Sequence, residues 1–215
     1  MSKNDYSFSD RLLHSLVLGT PLIGRISLEL EQIFTNNDDS IHNIKPVFIN
    51  GLARAGTTIL MRAFYGTGLF RSLTYRDLPF ILMPGVWKRF STFFSKEITS
   101  QERAHGDGIM VSFDSPEAFE EIFWKTFCAD SYIFNDHLEP HVVSQEVINL
   151  FQIFVKHVIN SADKTDQQRY LSKNNNNILR PEALKKAFPD AIIIIPFRDP
   201  IQQSISLHHQ HQKFS

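Results

Sequence analysis

The sequence predicts an α/β fold: three layers, with a central parallel sheet, helices on both faces and a helical insert. Two short apolar runs, Pro46–Ile49 and Ala191–Phe197, have the length and the β-branched and aromatic content of buried strands. The segments follow one another as strand, helix, several helices, strand, helix, strand, helix. That order is typical of a parallel sheet whose crossover helices cover both of its faces.

Composition limits the classes of protein that remain. The 215 residues suit a single domain over residues 1–215, and a net charge of −1 offers no basic field that would favour nucleic acid. The lone Cys128 excludes an internal disulfide framework and favours a reducing, cytoplasmic compartment. No run reaches the roughly 20 apolar residues of a membrane span. The apolar stretch Leu12–Ile23 is broken by His14 and Pro21, which indicates a docking helix and not a signal peptide.

Two helices are predicted before the first strand. Asp10 can cap a helix that runs to Leu18, and the sequence Gly-Thr-Pro then stops it. A second helix covers Leu22–Phe34, with Leu28, Leu30 and Ile33 among its apolar positions. A polar loop separates this helix from the first strand.

The chain is organised around Lys45–Leu60, which reads KPVFINGLARAGTTIL. A strand, a glycine-bearing turn and the start of a helix together make an anion site. Glycine allows the turn, and the N–H groups of the first helical turn point at the ligand. Arg54 adds a fixed cation with a forked set of donors. The loop is P-loop-like but differs from the nucleoside-triphosphate pattern, because Thr57 follows Gly56 directly and the cation precedes the glycine.

The middle of the chain is predicted to be mainly helical. Ser72–Tyr75 is a candidate second strand, and Asp77–Met83 a short helix closed by a proline and a glycine. The polar segment Ser100–Ile109 is predicted to be a loop. A helix is expected to begin at Ser115, followed by a long helix over Val142–Ile159, where apolar residues recur at helical spacing.

The last quarter predicts strand, helix, strand, helix. Arg169–Lys173 is a strand candidate that stops at the asparagine run Asn174–Asn177. A helix follows over Pro181–Phe188, and Ala191–Phe197 is the most apolar strand of the chain. Arg198 then ends that strand, and a final helix runs to about residue 211. Ligands of parallel sheets bind at the carboxyl ends of the strands, where Arg54, Lys173 and Arg198 would meet.

These segments resemble the nucleotide-binding motifs of PAPS-dependent sulfotransferases. The loop that holds the 5′-phosphosulfate in that family is similar to residues 54–58, and the second motif is similar to residues 188–200 together with Ser206. Lys173 stands where many bacterial members have Lys-Thr-Pro, although asparagine follows it here. The resemblance covers residues 45–75 and 168–211, and arginine in the loop is typical of the bacterial and of the tyrosylprotein- and carbohydrate-sulfotransferase-like branch.

The resemblance implies transfer of a sulfuryl group from 3′-phosphoadenosine 5′-phosphosulfate (PAPS) to a hydroxyl or amine. The product of the donor is adenosine 3′,5′-bisphosphate (PAP), and no metal is required. Lys173 would contact the transferring group. A carbohydrate or other small hydroxyl-bearing acceptor is expected. The donor's phosphates would be held by two sets of residues, the loop set binding the 5′-phosphate and the helix set the 3′-phosphate: Arg54, Ala55, Gly56, Thr57 and Thr58 in the loop, and Arg198 and Ser206 at the helix.

The base that takes the acceptor's proton is less well marked. Asp77 is the first candidate by position, although it is equally suited to cap a helix. His105 and Asp107, in a polar loop, are the second candidates.

Two other functions fit the sequence. A nucleotide or small-molecule kinase would bind ATP with Mg²⁺, but the loop lacks the Gly-Lys-Ser/Thr lysine. A nucleotide-binding domain without catalysis is the other, since family members usually continue beyond the helix that carries Ser206, whereas this chain ends at Ser215. The sequence does not predict the acceptor or the oligomeric state.

Overall fold

The computed structural model describes residues 20–35, 44–91, 101–102, 110–112, 114–162 and 169–214. Its helices and strands, in chain order, are α1 Pro21–Phe34, β1 Val47–Ile49, α2 Thr57–Tyr65, β2 Phe70–Arg71, α3 Pro84–Ser91, β3 Gln101–Glu102, β4 Met110–Val111, α4 Glu121–Tyr132, α5 Gln145–Asn160, β5 Arg169–Lys173, α6 Pro181–Ala187, β6 Ile192–Ile194 and α7 Pro200–Phe214. Two 3₁₀ turns, Tyr75–Asp77 and Asn175–Leu179, lie between them. The helix predicted from Asp10 to Leu18 lies outside the described residues.

A four-stranded parallel sheet in the order β2-β5-β1-β6 forms the centre, which confirms the predicted α/β class. Ile49 at the end of β1 lies beside Lys173 of β5 and Ile194 of β6. The carboxyl ends of three strands therefore meet at one edge. Strands that are neighbours in space are distant in sequence, so the chain crosses over through its helices.

Helices cover both faces of this sheet. Phe48 packs on the large aromatic core that α4 and α5 supply, with Phe123 and Phe151 both fully buried. Val47 and Ile49 point the other way, into a smaller cluster with Met61 of α2. The alternation along β1 follows from the two-residue period of a strand, and it confirms the three-layer prediction.

Two predicted elements after α2 are shifted along the chain. The second strand is Phe70–Arg71 and not Ser72–Tyr75, because Thr74 and Asp77 form a capping box that begins a 3₁₀ turn. The helix predicted over Asp77–Met83 is wrong, since residues 78–83 form no helix, and Pro84 begins one, α3, instead of closing one. The Glu31 carboxylate of α1 accepts hydrogen bonds from the N–H groups of Gly85 and Val86 and so caps α3 from a distant segment.

Three further predictions differ from the structure. The helix expected from Ser115 begins at Glu121, since the Ser115 hydroxyl accepts from the N–H of Ser112 and closes a turn there. Gln101–Glu102, predicted as loop, pairs with Met110–Val111 as a two-stranded antiparallel sheet. In α1, Leu28 is buried in the core as predicted, but Leu30 is 37% and Ile33 72% exposed, and Ser27 is buried on the core side instead.

The segment Ala191–Phe197, predicted as the clearest buried strand of the chain, lies at the edge of the sheet. β6 spans only Ile192–Ile194 and pairs on one side, with β1. Ile195 is 59% and Phe197 85% exposed. The long helix α5, capped by the Ser144 hydroxyl, and strand β5 match their predicted bounds closely. None of the described helices is long and apolar enough to cross a membrane.

Candidate active site

The loop between β1 and α2 turns through two left-handed backbone positions. Gly56, the residue before α2, has φ 89°, and Arg54 has φ 69°. A side chain at Gly56 would meet no atom within 4 Å, so the requirement for glycine is conformational and not steric. Gly51 is confined by packing, because a Cβ there would lie 3.2 Å from Pro196. The loop therefore folds tightly against the chain that leaves β6.

The first turn of α2 closes the loop toward the sheet edge. Thr57 and Thr58 are buried there. Within the loop, the N–H of Ala55 donates to the carbonyl oxygen of Leu52 at 3.3 Å. The N–H groups that open a helix carry no partner in the helix itself and, with the helix dipole, favour an anion at this end. The predicted strand, turn and helix are thus present, whereas anion binding by the loop stays a prediction, and the Ala55 amide is engaged inside the loop.

Helix α7 and the turn before it hold the loop through side chains. Arg198 donates from Nη1 to the carbonyl oxygen of Arg54 at 3.1 Å, and Gln203 donates from Nε2 to that of Ala53 at 2.9 Å. Arg54 in turn donates from Nε to the Ser206 hydroxyl at 2.9 Å. Three of the predicted residues, Arg54, Arg198 and Ser206, are therefore brought together, and all are partly exposed.

Asp199 has a local role beside this cluster. Its carboxylate accepts from the N–H of Gln202 at 3.0 Å and caps the first turn of α7. That contact accounts for the acid after Arg198 without an ion pair between the two neighbours. The Arg198 guanidinium is turned to the loop instead.

Lys173, the last residue of β5, is 8% exposed and lies beside Ile49 in the sheet. Its ammonium is 3.5 Å from Oε1 of Glu117, and the two side chains are 10% and 18% exposed. Glu117 precedes α4 and is a site residue that the sequence did not single out. The sheet register brings Lys173 to the same edge as the anion loop.

The asparagine run after Lys173 is fixed by two carboxylates next to the start of α4. Asn174 and Asn176 donate to Glu121 at 2.7 and 2.8 Å, and Asn177 donates to Glu120 at 2.7 Å. Glu120 also accepts from the Tyr170 hydroxyl at 3.0 Å. Burial, and then the charge of Glu120, raise the pKa of Tyr170 well above its ordinary value. The network locks the chain on both sides of Lys173.

Asp77 does not cap a helix that begins after it; it is the third residue of the 3₁₀ turn that Thr74 caps, and its carboxylate completes the capping box. Its Oδ2 accepts from the N–H of Thr74 at 2.7 Å and from the Thr74 hydroxyl at 3.1 Å. Its Oδ1 is 2.6 Å from Nη2 of Arg71, and the residue is 6% exposed. Both oxygens are thus engaged. The role of Asp77 as a base stays a prediction, and His105 and Asp107 lie outside the described residues.

Two contacts of the site could not be identified from motifs. Gln203 looks like an ordinary polar residue of a helix, and Glu117 resembles a first-turn helix acid. Gln203 lies three residues before Ser206 and Glu117 two residues after Ser115, and these spacings do not mark either residue as part of a site. Metal-ligand clusters of His, Cys, Asp and Glu are absent among the residues that the structure describes.

Comparison with known proteins gives one family and two solved structures. The model of the sulfotransferase family matches residues 46–215. No curated protein matches the sequence. The fold is similar to that of sulfotransferase STF9 from Mycobacterium avium, with TM-score 0.60 and 17% identity over 98% of this chain and 58% of that one. It is also similar to sulfotransferase STF1 from Mycobacterium tuberculosis H37Rv, with TM-score 0.52 and 15% identity over 89% of this chain and 57% of that one. The chain thus spans less than two thirds of either protein.

Proposed function

Because the chain belongs to the sulfotransferase family, we propose that it moves a sulfuryl group from PAPS to a hydroxyl group of a carbohydrate or other small acceptor. The observation that carries this proposal is the contact of Arg54 with Ser206 and Arg198. This contact brings two arginines, one after β1 and one after β6, together beside the N-terminus of α2. A donor with phosphates at its 3′ and 5′ positions needs cationic groups at two points.

The 5′-phosphosulfate would lie against the loop. N–H groups from Ala55 to Thr58 and the Arg54 guanidinium would hold its oxygens, with the hydroxyls of Thr57 and Thr58 as further donors. For the Ala55 amide, this requires release from Leu52. The 3′-phosphate would bind Arg198 and Ser206, whose hydroxyl lies about two helical turns into α7.

The reaction requires that acceptor and donor are correctly positioned and that negative charge on the leaving phosphate is stabilised. The acceptor oxygen forms a bond to sulfur while the bond between sulfur and the bridging oxygen of the 5′-phosphate breaks, and PAP leaves with the negative charge. Lys173 would contact the transferring group, and Arg54 would stabilise the leaving phosphate. The proposal needs no metal. It also includes a cytoplasmic location, which the free and buried Cys128 fits.

The acceptor's proton has to be taken up by a base. Asp77 is the residue that position in the sequence favours, but its carboxylate would first have to leave Arg71 or Thr74. The identity of the base is therefore a separate question from the identity of the donor.

Calorimetric titration with PAP, in the presence and absence of Mg²⁺ and against ATP, tests the proposal. Metal-independent binding of PAP that Arg54→Ala weakens, while Arg25→Ala on the exposed side of α1 does not, would support it. Mg²⁺-dependent binding of ATP in preference to PAP would contradict it and favour a kinase. PAP binding without transfer to any acceptor would favour a nucleotide-binding domain, an alternative motivated by the 58% coverage of the longer relative.

A further inference from the structure

The contact between Lys173 and Glu117 joins two segments at the site of transfer. The ammonium and the carboxylate are 3.5 Å apart, and both side chains are mostly buried. A cation and an anion that leave water lose hydration energy, and their attraction has to offset it. This pair lies where the proposed function brings in an anionic sulfuryl group. Its carboxylate would compete with that group for the same lysine.

The backbone around Glu117 is anchored to the end of β2. The N–H of Glu117 donates to the carbonyl oxygen of Leu73 at 3.3 Å, and Pro116 forms a bridge with Thr74. The Glu117 carboxylate therefore stands between the ends of β2 and β5. Its position is set by main-chain contacts and not by the lysine alone.

The same segment is tied to the turn after Lys173. Glu120, three residues on, accepts from Asn177, and Glu121 accepts from Asn174. These two carboxylates are occupied by short hydrogen bonds of 2.7 Å. The contact of Glu117 with Lys173 is longer, at 3.5 Å, and lies beyond the usual range of an N–H···O hydrogen bond. Oε1 of Glu117 also accepts from the N–H of Ala118 at 3.1 Å, so the contact with Lys173 is the longer of these two and is the one that a competing anion on the lysine would displace.

We propose that Glu117 is the general base of the transfer and that binding of the donor releases it from Lys173. The inference rests on the proposed function. In it, the sulfuryl oxygens of PAPS take the place of the carboxylate on the Lys173 ammonium. Glu117 then accepts the proton of the acceptor hydroxyl as the oxygen–sulfur bond forms. The bond from sulfur to the 5′-phosphate oxygen breaks, PAP departs with the electron pair, and the Glu117 proton passes to water.

This arrangement imposes an order on the reaction. Before the donor binds, the carboxylate is held on the lysine by opposite charge. After it binds, the lysine is neutralised by the sulfuryl group and the carboxylate can turn to the acceptor. Asp77 is a poorer candidate because Arg71 and Thr74 together engage both of its oxygens. The donor is thus expected to bind before a productive acceptor.

A binding cycle tests the displacement. The affinities of PAPS and PAP are measured by calorimetry for the unchanged chain, Glu117→Gln, Lys173→Met and the double variant. Glu117→Gln should bind PAPS about two- to tenfold more tightly and leave PAP, which lacks the sulfuryl group, unchanged. In the Lys173→Met background, Glu117→Gln should have no effect on PAPS. Equal effects on PAPS and PAP, or weaker binding of PAPS by Glu117→Gln, would overturn the displacement.

A kinetic experiment tests the base. PAP formation from PAPS is followed with the best acceptor from a hydroxyl screen, or with water alone. Glu117→Gln should lower kcat by about 10²- to 10⁴-fold without raising the KM for PAPS, and Glu117→Asp should recover part of the rate. Glu146→Gln, at an exposed position of α5, is the matched control. Thermal unfolding verifies that the variants fold.

The outcomes separate this inference from the proposed function. A Glu117→Gln rate within about threefold of the unchanged chain, with PAP binding intact, would overturn the role of Glu117 alone. Failure of the unchanged chain to bind PAP would overturn both. A parallel loss of kcat and of PAPS affinity in Glu117→Gln would show a structural role and contradict the proposal.

Discussion

The Arg198 guanidinium donates a hydrogen bond to the backbone carbonyl oxygen of Arg54 at 3.1 Å, across 144 residues of sequence. One arginine thereby fixes the backbone from which the other projects. A carbonyl oxygen attracts the Arg198 guanidinium without neutralising its charge. The contact ties the turn after β6 to the loop after β1, and it makes the two proposed phosphate-binding segments one unit.

Replacing Arg198 with alanine should weaken PAP binding about 10- to 100-fold, because a charge-assisted hydrogen bond is worth about 1.5–3 kcal/mol. Arg198→Lys should recover less than the full affinity, since lysine keeps the charge but lacks the fork that can reach a phosphate and the Arg54 carbonyl together. Calorimetry at one salt concentration measures both. Equal affinities for Arg198→Lys and the unchanged chain would contradict the role of the fork.

Gln203→Leu should lower the free energy of unfolding by about 1 kcal/mol and weaken PAP binding, because the Ala53 carbonyl loses its donor. Gln203 is 8% exposed, so leucine keeps the packing. Gln202→Leu is the control, at an exposed neighbouring position. Urea unfolding and calorimetry are the measurements. If both variants lost the same affinity, the bond from Gln203 would not explain the effect.

Gly56→Ala should destabilise the loop, since a φ of 89° is costly for a residue with a Cβ. The expected loss is about 1–2 kcal/mol in unfolding free energy, with weaker PAP binding. Gly56→Asn should be milder, because asparagine tolerates the left-handed region. A Cβ at Gly56 would meet no atom within 4 Å, so both side chains have room. A larger loss of stability for Gly56→Asn than for Gly56→Ala would show that side-chain size, and not backbone conformation, sets the cost.

The stability should fall in acid because of His157. Burial lowers the pKa of His157 from 6.5 to about 4, and the neighbouring Lys156 acts in the same direction. The folded chain thus holds a neutral imidazole, whose contribution is complete above the unfolded pKa and is lost as the pH drops from about 6.5 toward about 4. The loss is expected to reach about 3 kcal/mol. The Nδ1 atom of His157 lies 3.2 Å from the Thr35 hydroxyl, and a glutamine at position 157 is long enough to keep a contact with that hydroxyl.

His157→Gln tests this pH dependence by urea unfolding between pH 4 and 8. The variant should be less stable at pH 8 but lose less stability on acidification. His208→Gln on the exposed face of α7 is the control. An unchanged slope in His157→Gln would assign the acid sensitivity to other groups.

The parts of the fold that the sequence predicts well are those set by neighbours in the chain. Lys45–Leu60 carries a complete local pattern of strand, glycine turn and helix, and the structure places β1, the loop and α2 as that pattern indicates. β5 ends at Lys173 because the asparagines that follow favour a turn. For α5, helical spacing and the Ser144 cap suffice.

The features that were missed depend on distant segments. α3 begins at Pro84 because Glu31 caps it across 54 residues. β6 is apolar enough for a central strand, yet the strand order leaves it at the edge, and the order is not encoded in its own residues. Glu117 meets Lys173 only through the register of the sheet and the asparagine network. The residues next to Pro84, β6 and Glu117 in the sequence therefore do not predict these long-range contacts.

The position of β1 between β5 and β6 also governs how the chain is made. β1 ends at Ile49, and its first partner begins at Arg169, so about 120 residues must be translated before the strand can pair. At about 5–20 residues per second, β1 waits about 6–24 s with both of its edges unpaired. Val47, Phe48 and Ile49 are wholly buried in the finished fold, but their sheet partners do not yet exist during that interval. The ribosome therefore releases the central strand long before its neighbours exist, and a chaperone that shields short apolar segments would act at this stage of synthesis.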